Sequence, residues 1–206
     1  MGENTKGQHG VLGRARGFVT GRPTTQKVGG GVAAALLASA PFGGLSGTPE
    51  PQPEPLKLAQ PIMIGPFKVV IDKVVELPDL APAVTPKPPE RVIILDSHVT
   101  LTGDRPELGV TLWENIAVSG GEVEIKGNPS LYFVDDTTRL STFNPGITYR
   151  TAITFTTAGP WQGDTVTVKA NLVEFVEESN LTLAEDAWTQ RDEIQWQGTL
   201  SLEKKS

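Results

Sequence analysis

The stretch that decides the fold is Ile147-Thr148-Tyr149-Arg150-Thr151-Ala152-Ile153-Thr154-Phe155. Its apolar and polar side chains alternate, which is typical of a strand with one buried and one exposed face. The same period recurs in residues 67–77, 92–101 and 194–202. We expect the inward-facing side chains at odd positions in 67–77, 92–101 and 147–155, and at even positions in 194–202.

Shorter segments extend the pattern to about eight strands. Residues 165–176 start with apolar side chains at even positions and shift to Val173 and Phe175, which predicts a β-bulge. Further strands are expected at 110–118, 122–126 and 131–134, separated by turns rich in Gly, Asn, Asp and Pro.

The pattern as a whole indicates an all-β fold. At most one helical turn is expected, in residues 181–188, and the five prolines of 78–89 indicate a long loop between strands. Short strands without alternating helices predict an antiparallel β-sandwich, with a small β-barrel as the alternative.

Four segments of different composition organise the chain. Residues 1–27 are rich in Gly, Thr and Arg and are interpreted as a disordered basic leader. Residues 28–47 carry no charge and follow a basic flank, which favours a signal or membrane-anchor segment; a cleaved signal and a plain linker are the alternatives. Residues 48–58 form a proline-rich linker, and residues 59–206 are predicted to be the β-sandwich domain.

The charge distribution argues against nucleic acid as a partner. The chain has a formal net charge of −6, but residues 1–49 hold five basic residues and one acid, whereas residues 50–206 hold 13 basic residues and 23 acids. A domain this acidic repels phosphate backbones. The basic leader is better explained as the cytoplasmic flank of a membrane segment, which places the domain on the outer side.

The residues needed for common catalytic sites are missing or poorly placed. Without cysteine the chain has no thiolate nucleophile, and its two histidines, His9 and His98, are too few for a zinc site. His98 and Ser97 are expected on opposite faces of one strand, and the Asp104/Glu107 pair is interpreted as a solvated turn. The sequence therefore predicts no cofactor, no metal and no enzymatic activity.

A hydrolase of cell-wall polymers is the alternative that composition leaves open. It would need two carboxylates across a cleft. Acids such as Glu174, Glu177, Glu178 and Asp186 are candidates, although nothing in the sequence selects a pair.

Trp161 is the residue that we single out as a possible contact with a partner. It lies in Ala158-Gly159-Pro160-Trp161-Gln162-Gly163, a predicted turn, where an aromatic side chain is expected to be exposed. The other reading of Trp161 is that it caps the edge of the core. Trp196 is in phase with an apolar face and is predicted to be buried.

The layout and two short motifs resemble those of known bacterial proteins. Ile64-Gly65-Pro66-Phe67 and Phe143-Asn144-Pro145-Gly146 each open a strand, as in telokin-like, Ig-like extracellular modules of bacterial lipoproteins. The leader, apolar segment and proline-rich spacer are similar to those of envelope-anchored proteins of actinobacteria. The resemblance implies an extracytoplasmic interaction or structural module of the cell envelope, held at the membrane or secreted, with an envelope protein or glycan as its partner.

Overall fold

The computed structural model describes residues 52–177 and 187–205 of the chain. The predicted leader 1–27 and apolar segment 28–47 lie outside the described residues, as do residues 181–186 of the stretch considered for a helical turn. Within the described ranges, no helix combines the length and the apolar character of a membrane span.

The described residues form eleven strands and one helical turn. The strands are β1 (Glu54–Pro55), β2 (Pro61–Ile64), β3 (Phe67–Leu77), β4 (Arg91–Leu101), β5 (Glu107–Leu108), β6 (Ile116–Ser119), β7 (Ile125–Phe133), β8 (Thr142–Phe143), β9 (Thr148–Thr157), β10 (Thr165–Val176) and β11 (Ala187–Lys204). The helical turn, α1, spans Val110–Trp113.

The strands form two layers that share β11. One layer has the order β6-β10-β11-β1, and the other has the order β11-β3-β4-β9-β7, with β2 beside the first half of β3. Most of β11 pairs with β10, whereas its last residues, Leu202 to Lys204, pair with β3. β5 and β8 form a separate two-stranded sheet. Because β1–β11 and β11–β3 are parallel pairs, the sheet is mixed, and the prediction of a purely antiparallel sandwich is wrong in this respect.

Side chains from both layers meet in one apolar core, which makes the fold a β-sandwich. Its buried members include Phe67, Val69, Ile71, Leu95, Val99, Leu101 and Ile153 from one layer, and Ile116, Val118, Val166, Val168, Ala170 and Leu200 from the other. The inward face predicted for 92–101 is confirmed, and so is the burial of Leu200 and Leu202 at the end of the chain, whereas Ile194 and Trp196 are only partly buried. Ile147 is an exception at 49% exposure, because it lies in the turn before β9.

A bulge at Asp72 corrects the predicted faces of β3. The pairing with β4 steps from Ile71 to Lys73, which leaves Asp72 as the extra residue. After the bulge, Val74 faces the main core, whereas Val75 lines the outer face of the sheet. A bulge inverts the alternation, so the odd-position face predicted for 67–77 is wrong from Lys73 onward. The irregularity predicted in β10 is confirmed between Ala170 and Val173.

Residues 110–134 differ from the predicted pattern in two places. Residues 110–118 contain the α1 turn followed by β6, and not one strand. The strands predicted at 122–126 and 131–134 are joined in β7, whose pairing with β9 shifts register between Lys126 and Ser130. The Gly127-Asn128-Pro129 sequence is therefore an irregularity within β7, which tolerates proline because β7 lies at the edge of its sheet.

The proline-rich loop 78–89 covers the outer face of the β4 layer. Leu80 and Val84 exchange two backbone hydrogen bonds, of 2.8 and 2.9 Å, and both pack against a cluster that includes Val92 and Ile94. β4 is consequently buried on both faces over these residues, which explains its nearly continuous apolar sequence.

The sandwich begins within the predicted linker 48–58. β1 pairs with β11, Leu56 is 3% exposed, and its amide donates a 2.9 Å hydrogen bond to the carbonyl of Gln197. Gly198 lies directly beneath this segment, where a Cβ would overlap the carbonyl oxygen of Leu56. Glycine thus allows residues from 54 onward to join the sheet, and the linker ends earlier than its composition indicates.

Candidate functional site

An open groove of about 720 Å³ lies beside the hairpin that β10 and β11 form. One wall consists of Phe175, Ala187 and Trp188, and the other comes from residues 103–107 and Thr111. We call this feature the aromatic groove. Its size and its mixture of aromatic and charged side chains are typical of ligand-binding clefts.

A two-stranded ribbon forms the aromatic wall. Beyond the β10 bulge, Val173 to Val176 pair with Gln190 to Ala187, and no third strand joins them in the described residues. In this ribbon Phe175 and Trp188 are directly paired. Their ring centroids are 5.3 Å apart at an interplanar angle of 60°, an edge-to-face arrangement that is favourable for aromatic pairs. Phe175 nevertheless remains 47% exposed.

The turn between β2 and β3 supports the ribbon and the opposite wall. Gly65 has a φ of +52°, and a Cβ there would lie 2.9 Å from Val173 and 3.2 Å from the Trp188 ring. A larger residue would be strained and would push the ribbon away. On the other side, Thr102 donates backbone and hydroxyl hydrogen bonds of 2.9 and 2.8 Å to the carbonyl of Pro66. Both walls are therefore fixed to the same turn.

The polar wall carries three charged residues, Asp104, Arg105 and Glu107. The carboxylate of Glu107 accepts 3.0 Å hydrogen bonds from the Leu108 amide and the Thr111 hydroxyl, so its position is well defined. Asp104 is exposed in the bend before β5, as the sequence indicated, and it lines the groove together with Glu107. They add negative charge and hydrogen-bond acceptors to its rim.

Trp161 does not have the exposure that its turn sequence predicted. The side chain is 1% exposed, its indole N–H donates a 2.9 Å hydrogen bond to the carbonyl of Thr165, and its ring lies so close to Gly121 that a Cβ there would overlap it. Its amide donates a 2.8 Å hydrogen bond to the buried carboxylate of Glu76. Trp161 closes the end of the core, so the reading in which it caps the core edge is confirmed and the reading in which it contacts a partner is wrong.

His98 lies on the outer face of β4, in a charged surface without a nucleophile beside it. Its Nδ1 is 2.6 Å from the carboxylate of Asp72, the extra residue of the β3 bulge. Ser97 points into the core, and its hydroxyl donates a hydrogen bond to the carbonyl of Leu95. Ser97 and His98 therefore lie on opposite faces of the strand, as predicted. Within residues 52–177 and 187–205, no three histidine or acidic side chains gather in the way that a metal site requires.

Two ion pairs perturb pKa values on this outer surface. Lys126 donates a 2.7 Å hydrogen bond to Glu90, which lowers the pKa of Glu90 and raises that of Lys126. The hydrogen bonds from Arg150 to Asp96 raise the pKa of the guanidinium further above its ordinary value. Water screens the Lys126–Glu90 pair, whereas Arg150 pairs with a carboxylate, Asp96, that is only 6% exposed. Neither pair lies in the aromatic groove.

A second, smaller cavity of about 150 Å³ lies under the proline-rich loop. Val75, Leu77, Leu80, Ile94, Val134 and Ala152 line it, together with Lys73, Asp96 and Lys205. Asp96 is already paired with Arg150 and Lys73, at 3.0 and 3.6 Å. The cavity therefore offers apolar space but few polar groups to orient a ligand, and the aromatic groove is the better candidate.

Sequence reasoning missed the importance of Phe175 and Trp188. The shift of phase toward Phe175 was visible, but the partner of this residue across the ribbon was not, because 13 positions separate Phe175 and Trp188 in the chain. The acid candidates Glu178 and Asp186 lie outside the described residues. Glu174 forms a 2.8 Å ion pair with Arg191 on the ribbon surface.

Comparison with known proteins gives limited information. No family model and no curated protein matches the chain. Among solved structures, an uncharacterised β-sandwich protein from Clostridium difficile 630 is similar, at 11% sequence identity and a TM-score of 0.46, over 74% of this chain and 97% of that chain.

Proposed function

We propose that this protein is a non-catalytic interaction or structural module of the cell envelope that binds an envelope protein or glycan in the aromatic groove. The observation that carries the proposal is the pairing of two aromatic side chains, one of them 47% exposed, along an open groove with a charged opposite wall. Such aromatic residues provide much of the binding energy of interfaces, and charged residues at the rim orient the partner.

The placement at the envelope rests on the sequence before the sandwich. The charge-free segment 28–47 follows a basic flank and precedes a proline-rich spacer. In this proposal the segment anchors the protein in the membrane with its C-terminal domain outside, or directs secretion if it is cleaved. The resemblance to envelope-anchored, Ig-like modules of actinobacteria supports the same location.

The groove gives little support to the alternative of a cell-wall hydrolase. A glycosidase places two carboxylates on opposite sides of the scissile bond. Among the described residues that line the groove, Asp104 and Glu107 come from the same loop, and the facing wall of Phe175, Ala187 and Trp188 supplies no acid.

Protease treatment of intact cells tests the location. We expect external protease to digest the β-domain of the full chain while a cytoplasmic marker protein survives. A domain that becomes sensitive only after the cells are lysed would contradict the proposed placement.

Capture with matched variants tests the groove. Immobilised wild-type protein and two variants, Phe175→Ser and Ile147→Ser, are incubated with solubilised envelope of the source cells. Ile147 is the control because it is 49% exposed, close to the 47% of Phe175, but does not line the groove. We expect wild type and Ile147→Ser to retain the same component and Phe175→Ser to lose it. Equal retention by all three would reject the groove as the binding site.

A further inference from the structure

We infer that the partner of the aromatic groove is a cationic polypeptide segment rich in lysine and arginine. The inference rests on the proposed function, because it assigns a ligand class to the same groove. Three properties of the groove and its ribbon lead to it: their charge, the ion pair that occupies the one basic residue of the ribbon, and the chemistry of the two aromatic rings.

The ribbon belongs to the most acidic part of the chain. Among the described residues of the ribbon, 174–177 and 187–193, four are acidic and one is basic, a formal balance of −3. Charge concentrated in this way attracts an oppositely charged partner and accelerates its association. A neutral glycan would gain nothing from it, and an anionic polymer would be repelled.

The single cation of this segment is already neutralised. Arg191 donates a 2.8 Å hydrogen bond to the carboxylate of Glu174 across the ribbon. Glu177 and Asp192 are exposed, and neither forms an ion pair with another described residue. On the facing wall Asp104 and Glu107 outnumber Arg105, so the described lining is also acidic.

The exposed rings suit the same kind of partner. The face of an aromatic ring attracts a lysine or arginine side chain, and the attraction at an exposed site is worth a two- to fivefold change in affinity. Phe175 offers such a surface beside the carboxylates, and Trp188, the stronger π-system, lies next to it at 5.3 Å. Acidic and aromatic groups along one groove allow a cationic side chain to contact both.

The test measures binding of a synthetic lysine- and arginine-rich peptide to the full chain by isothermal titration calorimetry. The comparison ligands are a peptide with glutamate at every basic position and a neutral oligosaccharide of N-acetylglucosamine. Two pairs of variants are compared: Phe175→Ser with Ile147→Ser, and Glu177→Lys with Glu203→Lys. The second pair makes the same change of charge on exposed residues, but Glu203 lies in the part of β11 that pairs with β3.

Of the three ligands, we expect only the cationic peptide to bind, and its affinity should fall as salt is added. Phe175→Ser should weaken binding about two- to fivefold and Glu177→Lys about fivefold, whereas the two control variants should bind like wild type. Equal effects of Glu177→Lys and Glu203→Lys, or no binding of the cationic peptide, would overturn the inference.

The failure of this inference can be distinguished from failure of the proposed function. If the neutral oligosaccharide binds, and Phe175→Ser weakens its binding while Ile147→Ser does not, the groove is a binding site but its ligand is a glycan. If neither ligand binds and the envelope capture is also insensitive to Phe175→Ser, both the ligand class and the proposed groove are rejected.

Discussion

Replacing Gly198 by alanine should separate the first described segment from the sheet. A Cβ at this position would overlap the carbonyl oxygen of Leu56 and lie 2.8 Å from its carbonyl carbon. These are backbone atoms, so rotation of a side chain cannot relieve the overlap. Because the Leu56 amide is bound to Gln197 next to the substituted residue, the segment cannot move away without losing this hydrogen bond.

The cost of the displacement follows from what the segment buries. Leu56 is 3% exposed, and full burial of a leucine side chain stabilises a fold by about 1.5–3 kcal/mol. The hydrogen bond between Leu56 and Gln197 adds about 1 kcal/mol. We therefore expect Gly198→Ala to lower the free energy of unfolding by about 2–4 kcal/mol, slightly offset by the smaller entropy of the unfolded alanine chain.

Urea denaturation of the full chain, followed by circular dichroism, measures this change. The matched control is Gly159→Ala, because a Cβ at Gly159 meets no atom within 4 Å and the effect on the unfolded chain is the same. If Gly198→Ala acts through Leu56, the double variant with Leu56→Ala should be little less stable than the more harmful single variant. The reasoning is refuted if Gly198→Ala and Gly159→Ala differ by less than about 0.5 kcal/mol, the usual range of harmless surface substitutions.

Three further predictions concern the core, the surface and the groove. Trp161→Ala should reduce the free energy of unfolding by about 3–5 kcal/mol in urea denaturation, because the side chain is 1% exposed; a loss below about 1 kcal/mol would mean that it does not close the core. Lys126→Met should raise the pKa of Glu90, measured by carbon-detected NMR titration, because the hydrogen bond that lowers this pKa is lost. Since the pKa of Glu90 is depressed in the folded state, the pair stabilises the fold above the pKa of unfolded glutamate, and this contribution disappears as the pH falls through the folded pKa; an unchanged titration of Glu90 would contradict the assigned pair. Phe175→Ser should lower the free energy of unfolding by about 1–2 kcal/mol, because about half of the ring is buried and it packs edge-to-face on Trp188, and a loss above about 3 kcal/mol would show that the ring supports the fold as a core residue does.

The alternation of side chains predicted the sandwich well where a strand has one regular inner face. In β4 the predicted inward residues Ile93, Leu95, Val99 and Leu101 are all buried. The same reasoning failed after Asp72. Val74 and Val75, which follow the bulge, are both apolar, so the alternation alone does not show which of them faces the core. It also failed for β1, whose proline-rich sequence is typical of a linker; only the absence of a side chain at Gly198 allows this segment to pack.

The candidate site was harder to predict than the fold, because its parts are distant in the chain. Trp161 attracted attention as a tryptophan among glycines and prolines, a composition typical of exposed turns. The indole is buried instead because a glycine from another turn, Gly121, has no side chain where the ring packs. Phe175 and Trp188 meet only through the register of the ribbon, which depends on the irregular pairing after Ala170.

The position of β1 along β11 bears on whether a tethered domain can present its groove. β1 joins the sheet opposite Trp196 and Gln197, and the aromatic wall contains Trp188 of the same strand. Eight residues of β11 separate the two points, but the irregular pairing leaves only five residues of β10, from Ala170 to Phe175, opposite them, so the groove lies about 17 Å along the ribbon from β1. If the apolar segment 28–47 anchors the protein, the residues through which the chain enters the sheet, Glu54 and Pro55, are not themselves part of the groove that a partner must reach.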